Sequence, residues 1–297
     1  MNLIDEKQRS KPQSSLGVEV HLSGAARLIR VCSHEYKTAS EQPETDVIPA
    51  MHRLVRESFI FHVATSLPFL ENCVHDGEIE TAFRLAEEAV CPHFHPEFSS
   101  HPNSPVLGFP PKLFRYVYTV FRLYQSSIDN DIDHQQCRNL DETLSQWFDR
   151  ITVSGCEPLD REAASVNDED DTLSIAPRPE IINPLQNSLN GPKLYILGSR
   201  ILLRRMSPGL HREKQDLRRL LEEGMEAVRQ LQPGKDYFAE YYCWPFLAIG
   251  INLDDPSDQN FLWSQMRAFW MATNNGTMKR LADMLVQHWH ADQRIKS

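Results

Sequence analysis

The chain has 297 residues, 41% hydrophobic and 24% charged, which are the proportions of a globular protein rather than a disordered or collagen-like one. Its net charge of −10 makes it a poor candidate to neutralise duplex phosphates by itself, so direct nucleic-acid binding by this chain is not expected. No apolar run approaches the ~20 residues that cross a bilayer, and the N-terminus is too polar for a secretory signal; an intracellular protein without a membrane anchor is expected.

Residues 1–15 read as a flexible tail. Helical periodicity begins at LGVEVHLSGAARLIRVCSHEY, where Val20, Leu22, Ala25, Leu28, Ile29 and Cys32 mark one face. In DVIPAMHRLVRESFIFHVATSLPF, Ile48, Met51, Leu54, Val55, Phe59, Val63 and Leu67 keep helical register until Pro68 stops it. GEIETAFRLAEEAV is a short helix, followed by a proline-dense loop through CPHFHPEFSSHPNSPVLGFPPK. Pro110 or Pro111 then sits in the first turn of a helix, where no intrahelical donor is lost, with Leu113, Phe114, Val117, Val120, Phe121 and Tyr124 as its buried stripe. LDETLSQWFDRI supplies another amphipathic helix through Leu140, Leu144, Trp147, Phe148 and Ile151.

Between Glu157 and Glu180 eight acidic residues face two arginines and no aromatic, the composition of an inert spacer more than of an activation segment. NPLQNSLNGPKLYILGSRILLRRM resumes with Leu194, Tyr195, Leu197, Ile201, Leu202 and Met206 buried, and HREKQDLRRLLEEGMEAVRQL follows as a long surface helix. The basic cluster Arg200, Arg204, Arg205, His211, Arg212, Lys214, Arg218 and Arg219 is interleaved with acids and reads mostly as a solvated face.

The segment YYCWPFLAIGINLDD organises the rest. It is apolar nearly all round, so other helices must pack on it; its internal proline places the helix start at Cys243 or Trp244, with Pro245 in the first turn. Asp255 or Ser257 caps a following helix carrying Phe261, Leu262, Met266, Phe269 and Trp270. Asn274, Asn275 and Gly276 break it, and TMKRLADMLVQHW forms the last helix. With no strand-period alternation of useful length, the fold class is all-α: an irregular multi-helix bundle of about ten helices. Its halves are 16–156 and 187–297, joined by an acidic, disordered linker over 157–186.

The order WPFLAIG, acidic turn, aromatic helix, NNGTMKRLADMLVQHW resembles the C-terminal end of the fungal-specific transcription factor domain, the helical regulatory region of fungal binuclear zinc-cluster activators. HLSGAARLIR, RESFIFHVATSLPF, LGFPPKLFRYVYTVFRLYQ and LYILGSRILLRRM are similar to further helices of that family. The resemblance implies a transcription-regulator-like protein of the nucleus, acting through dimerisation, another protein partner or response to an effector. The zinc cluster itself is not here: Cys32, Cys73, Cys91, Cys137, Cys156 and Cys243 are too far apart for a compact site and read as small buried hydrophobes. Family members carry further helices before the HLSGAARLIR motif. Their absence here implies exposed apolar stripes that a partner covers, or a truncated gene product.

No catalytic residue, cofactor or metal is assigned. There is no Gly-x-Ser-x-Gly elbow, phosphate-cradling glycine loop or Cys–His signature. Cys91, His93, His95 and Glu97 alternate as ligands on an extended segment would, but Pro92 and Pro96 favour a braced polar loop. His288 and His290 read as part of a frayed terminus. Trp244, Phe246, Phe261, Trp263, Phe269 and Trp270 read as packed core first and as the lining of a pocket for a small hydrophobic effector second. The alternative to a regulator is thus a metabolite-binding protein or enzyme that reuses the same helical scaffold.

Overall fold

A computed structural model describes residues 15–38, 47–66, 77–91, 106–128, 132–154, 184–207, 214–233 and 239–296. These residues form ten helices and, among them, no strand. In chain order they are α1 (Ser15–Thr38), α2 (Val47–Ser66), α3 (Gly77–Val90), α4 (Pro111–Ile128) and α5 (His134–Ser154). Then come α6 (Pro184–Met206), α7 (Lys214–Arg229), α8 (Ala239–Gly250), α9 (Pro256–Thr273) and α10 (Gly276–Lys296). The tail before Ser15, the acidic stretch Glu157–Glu180 and the group His93, His95 and Glu97 lie outside the described residues.

Local chemistry sets the helix ends. Pro111 opens α4 after Pro110, whose carbonyl takes the Leu113 amide at 3.0 Å. The Asp133 carboxylate accepts the Gln136 amide (2.8 Å) at the start of α5. Asp255 caps α9 by accepting the Ser257 amide, with Pro256 in the first turn, and Asn274 ends that helix in the left-handed region at φ 53°. The side chain of Asn275 then accepts the Met278 amide and starts α10.

Two helices carry the core. From Asn190 to Met206, α6 is buried on nearly every side and packs against α4, α5, α7 and α8. The shorter α8 is buried on nearly every side as well and packs against α2, α6, α7, α9 and α10. The WPFLAIG segment is therefore central, as its composition requires, but it shares that role with α6. The two axes come close at Gly198, where a Cβ would stand 3.1 Å from both Ala248 Cβ and Trp244 Cζ3. A side chain there would force its neighbours back by a few tenths of an ångström, so glycine suits the close approach.

The start of α8 corrects one expectation. The helix begins at Ala239, not at Cys243 or Trp244, and Pro245 lies inside it. The register of the N-terminal helices corrects another. Leu22, Ala26 and Ile29 of α1 face the core, whereas Val20 and Leu28 point outward; on α2, Phe59, Ile60, Phe61, Val63 and Ala64 are buried, whereas Met51, Leu54 and Val55 are exposed. On α4 Leu113, Phe114, Val117, Val120 and Phe121 are buried as expected, Tyr124 is only half-buried, and Tyr118 and Leu123 join the stripe.

Candidate functional site

An internal proline leaves the carbonyl four residues earlier without its helical donor. For Pro245 that carbonyl belongs to Tyr241, and the hydroxyl of Tyr195 on α6 donates to it at 2.7 Å. The Tyr195 ring stacks on Trp244 with centroids 5.6 Å apart and planes 9° from parallel. Burial pushes the Tyr195 phenol well above its usual range, so it stays protonated and remains a donor. The Trp-Pro pair thus survives mid-helix because a neighbouring helix supplies the missing hydrogen bond.

The other end of α8 is closed from a distance. Its last carbonyls would be orphaned in an isolated helix. The indole N–H of Trp289 donates to the Gly250 carbonyl at 2.8 Å. Arg205 donates to the Ile251 carbonyl at 2.7 Å, His288 Nε2 lies 3.3 Å from that same oxygen, and the Asn252 side chain donates to Ala248. A guanidinium at a helix C-terminus is also favoured by the helix dipole. Gly250 lets Leu285 and Leu262 pack close at this end, because a Cβ there would fall 2.6 Å from Leu285 Cδ1 and force that side chain to shift. His288 is consequently a buried packing residue and not part of a frayed end, whereas His290 is exposed.

The arginines of α6 depart from the solvated-face reading. Arg200 and Arg204 are buried and converge on the one carboxylate of Asp141 in α5, at 2.9 and 3.1 Å. Asp216 adds a longer contact to Arg204 at 3.7 Å. Beside this cluster His134 Nδ1 and Ser207 Oγ are 2.8 Å apart, joining the start of α5 to the end of α6.

The six aromatics considered as a pocket do not act together. Trp244, Phe246 and Phe269 are buried in ring-to-ring packing with Tyr195 and Tyr242. Phe261, Trp263 and Trp270 are half-buried, and each is covered by a cation, Arg229, Arg267 and Lys279 respectively, 5.4–5.9 Å from its centroid. Of the described cysteines, Cys137 and Cys243 are buried, Cys32 is intermediate and Cys91 is exposed, which corrects the view of all six as interior residues. Among the described residues no group of three or more His, Cys, Asp or Glu is placed to hold a metal.

Among the described residues two surfaces stand out for contact with other molecules. Val20, Gly24, Leu28 and Val31 form one line along α1, and the three apolar side chains are 64%, 58% and 56% exposed. Around Gly24 there is open space, with no atom within 4 Å of where a Cβ would sit. The second surface is a cleft of about 390 Å³ between α3, α4 and the start of α5. It is lined by Glu80, by Arg115, Tyr118, Arg122 and Leu123 of α4, and by Gln136. Sequence reasoning missed this cleft. Arg115, Thr119, Arg122 and Ser126 do recur at helical spacing on α4, but the acid that completes the wall lies 35 residues before Arg115.

A family profile described as the fungal specific transcription factor domain matches residues 9–295. The chain belongs to that family. No curated protein and no solved structure matches the chain significantly. For this fungal specific transcription factor domain the ordered motifs at the C-terminal end form one physical unit. The Trp-Pro pair, the terminal Gly250 and the tryptophan of the last helix are linked through the two ends of α8. These residues build the frame of the domain; the exposed stripe and the cleft lie elsewhere.

Proposed function

We propose that this chain is a regulatory module of transcription, a helical, non-catalytic body working in the nucleus, and that it pairs with a second copy of itself through α1. Family membership supports the broader role, since the family is one of transcription factors rather than enzymes. The observation that carries the finer reading is the stripe Val20, Gly24, Leu28 and Val31. A two-fold interface brings residue i onto j and j onto i. In an antiparallel α1 pair centred near Ala26, Gly24 meets Leu28 of the other copy and Val20 meets Val31, because both pairs straddle nearly the same point. The open space at Gly24 receives the leucine. On α2, which packs beside α1, Met51, Leu54 and Val55 are also exposed and apolar.

Contact with DNA belongs, in this reading, to other segments or partners, in keeping with the net charge of −10. Light scattering on the purified chain tests the pairing. A dimer is expected, and Leu28→Asp, an exposed position, is expected to give a monomer with unchanged helicity, whose melting temperature no longer rises with protein concentration. A wild-type chain that remains monomeric at high concentration, or a Leu28→Asp variant that stays dimeric, removes the support for self-pairing.

A further inference from the structure

The geometry points to the α3–α4–α5 cleft as a binding site for a small organic carboxylate with a compact apolar body. It gives the effector response of a regulator a place in the structure. It relies on the regulatory reading only for what binding would control.

The charged groups of the cleft differ in how fully they are engaged. Arg115 is held on both sides: Nη1 lies 2.7 Å from Glu80, Nη2 lies 2.7 Å from Glu87, and the guanidinium sits 4.5 Å over the Phe83 ring. Glu80 is held by Arg115, and the Tyr118 phenol stands beside that carboxylate. Burial and that carboxylate together push the Tyr118 phenol upward, so it stays protonated. Arg122 is different. Its side chain is 45% exposed and reaches Glu80 only through Nη1, at 3.4 Å. A planar guanidinium offers five N–H groups in a fork suited to a carboxylate, so one long contact leaves an edge of Arg122 facing the cleft.

Below that edge the Tyr118 ring, 5.9 Å from the Arg122 guanidinium, and Leu123 make an apolar floor. Gln136 adds an amide on the far wall, where α5 begins. A carboxylate on the open edge of Arg122, with its carbon skeleton on the floor, uses the cation and the apolar residues of a lining that Thr119 and Ser126 complete. Glu80 opposes the anion, and its charge is met by Arg115, which it shares with Glu87. The volume of about 390 Å³ lies at the small end of ligand sites, which sets the size of the guest.

The test uses the full chain and ligand-observed NMR with butyrate and benzoate. Butyramide and benzamide serve as neutral isosteres, and inorganic phosphate and chloride as simple anions. The carboxylates are expected to bind, the amides to bind roughly tenfold or more weaker, and Arg122→Gln to weaken the carboxylates roughly ten- to hundredfold, the range of a charge-assisted hydrogen bond. Arg122→Lys, which keeps the charge without the fork, is expected to fall between. Equal binding of acids and amides, full displacement by chloride or phosphate, or an Arg122→Gln variant as good as wild type would overturn the proposal. Because Arg122 is exposed, its replacement leaves the fold intact, which circular dichroism checks. Oligomeric state is measured separately by light scattering, so failure here and failure of the α1 pairing are distinguishable.

Discussion

Removing one oxygen from Tyr195 tests the account of α8 more directly than any deletion. Tyr195→Phe keeps the ring stacked on Trp244 and removes only the donor to the Tyr241 carbonyl, which is buried and, because residue 245 is proline, has no helical N–H to replace it. An acceptor left unsatisfied in the interior costs about 1–3 kcal/mol, so the variant is expected to lose that much in urea denaturation with an unchanged m-value. The decisive measurement is the same substitution in a Pro245→Ala background. There the alanine supplies an amide to the Tyr241 carbonyl, and the loss on Tyr195→Phe is expected to shrink below about 1 kcal/mol, a coupling of about 1 kcal/mol or more between residues on different helices. An equal loss in both backgrounds would show that the tyrosine stabilises by some route other than compensating the proline, and the reasoning fails.

Other parts of the frame give further expectations. Gly250→Ala places a methyl 2.6 Å from Leu285 Cδ1; it is expected to cost about 1–3 kcal/mol by thermal denaturation, with part of that recovered when Leu285 is shortened to Val. Asp141→Asn keeps the shape of the side chain but leaves Arg200 and Arg204 without their shared anion, a change expected to cost about 3–5 kcal/mol. Replacing all three residues by apolar ones of similar size should recover most of it. Thiol labelling of the native protein followed by peptide mapping should mark Cys91, which is exposed although its thiol too is held above its ordinary range, and spare Cys137 and Cys243, which are buried.

Much of this fold is legible along the chain, because helical period and helix ends are local. Pro111, Asp255 and the Asn274–Gly276 break mark real boundaries, and the stripe of α4 follows from spacing alone. What the local pattern misses is supplied by another helix. Nothing near Pro245 in sequence announces that Tyr195, 50 residues earlier, will satisfy the carbonyl the proline orphans, so the helix was expected to start late. Arg200 and Arg204 look solvated because their shared partner, Asp141, lies 59 and 63 residues away. His288 looks like the end of a chain until the Ile251 carbonyl is placed beside it. The outward-facing Val20, Leu28 and Met51 show the opposite failure: helical register marks an apolar residue as a core candidate, but burial also requires a neighbour.

The same distinction separates what identifies this domain from what it would use. The Trp-Pro pair, Gly250 and Trp289 are interior, and each is fixed by a contact that closes α8. The N-terminal helices join this hub through the interior too: Tyr241 donates to the Leu107 carbonyl at 3.2 Å and stacks on Phe61 of α2, with centroids 5.8 Å apart. Changes in the hub therefore act on the stability of the whole body, whereas Leu28 and Arg122 project from α1 and α4 and support little of it. Hub variants that still fold should consequently melt earlier at every protein concentration and keep the wild-type association state, whereas Leu28→Asp should dissociate the protein and lower the melting temperature only by the part that pairing contributes. A hub variant that dissociated the protein without lowering its melting temperature would place the contact surface on α8, against the division drawn from burial.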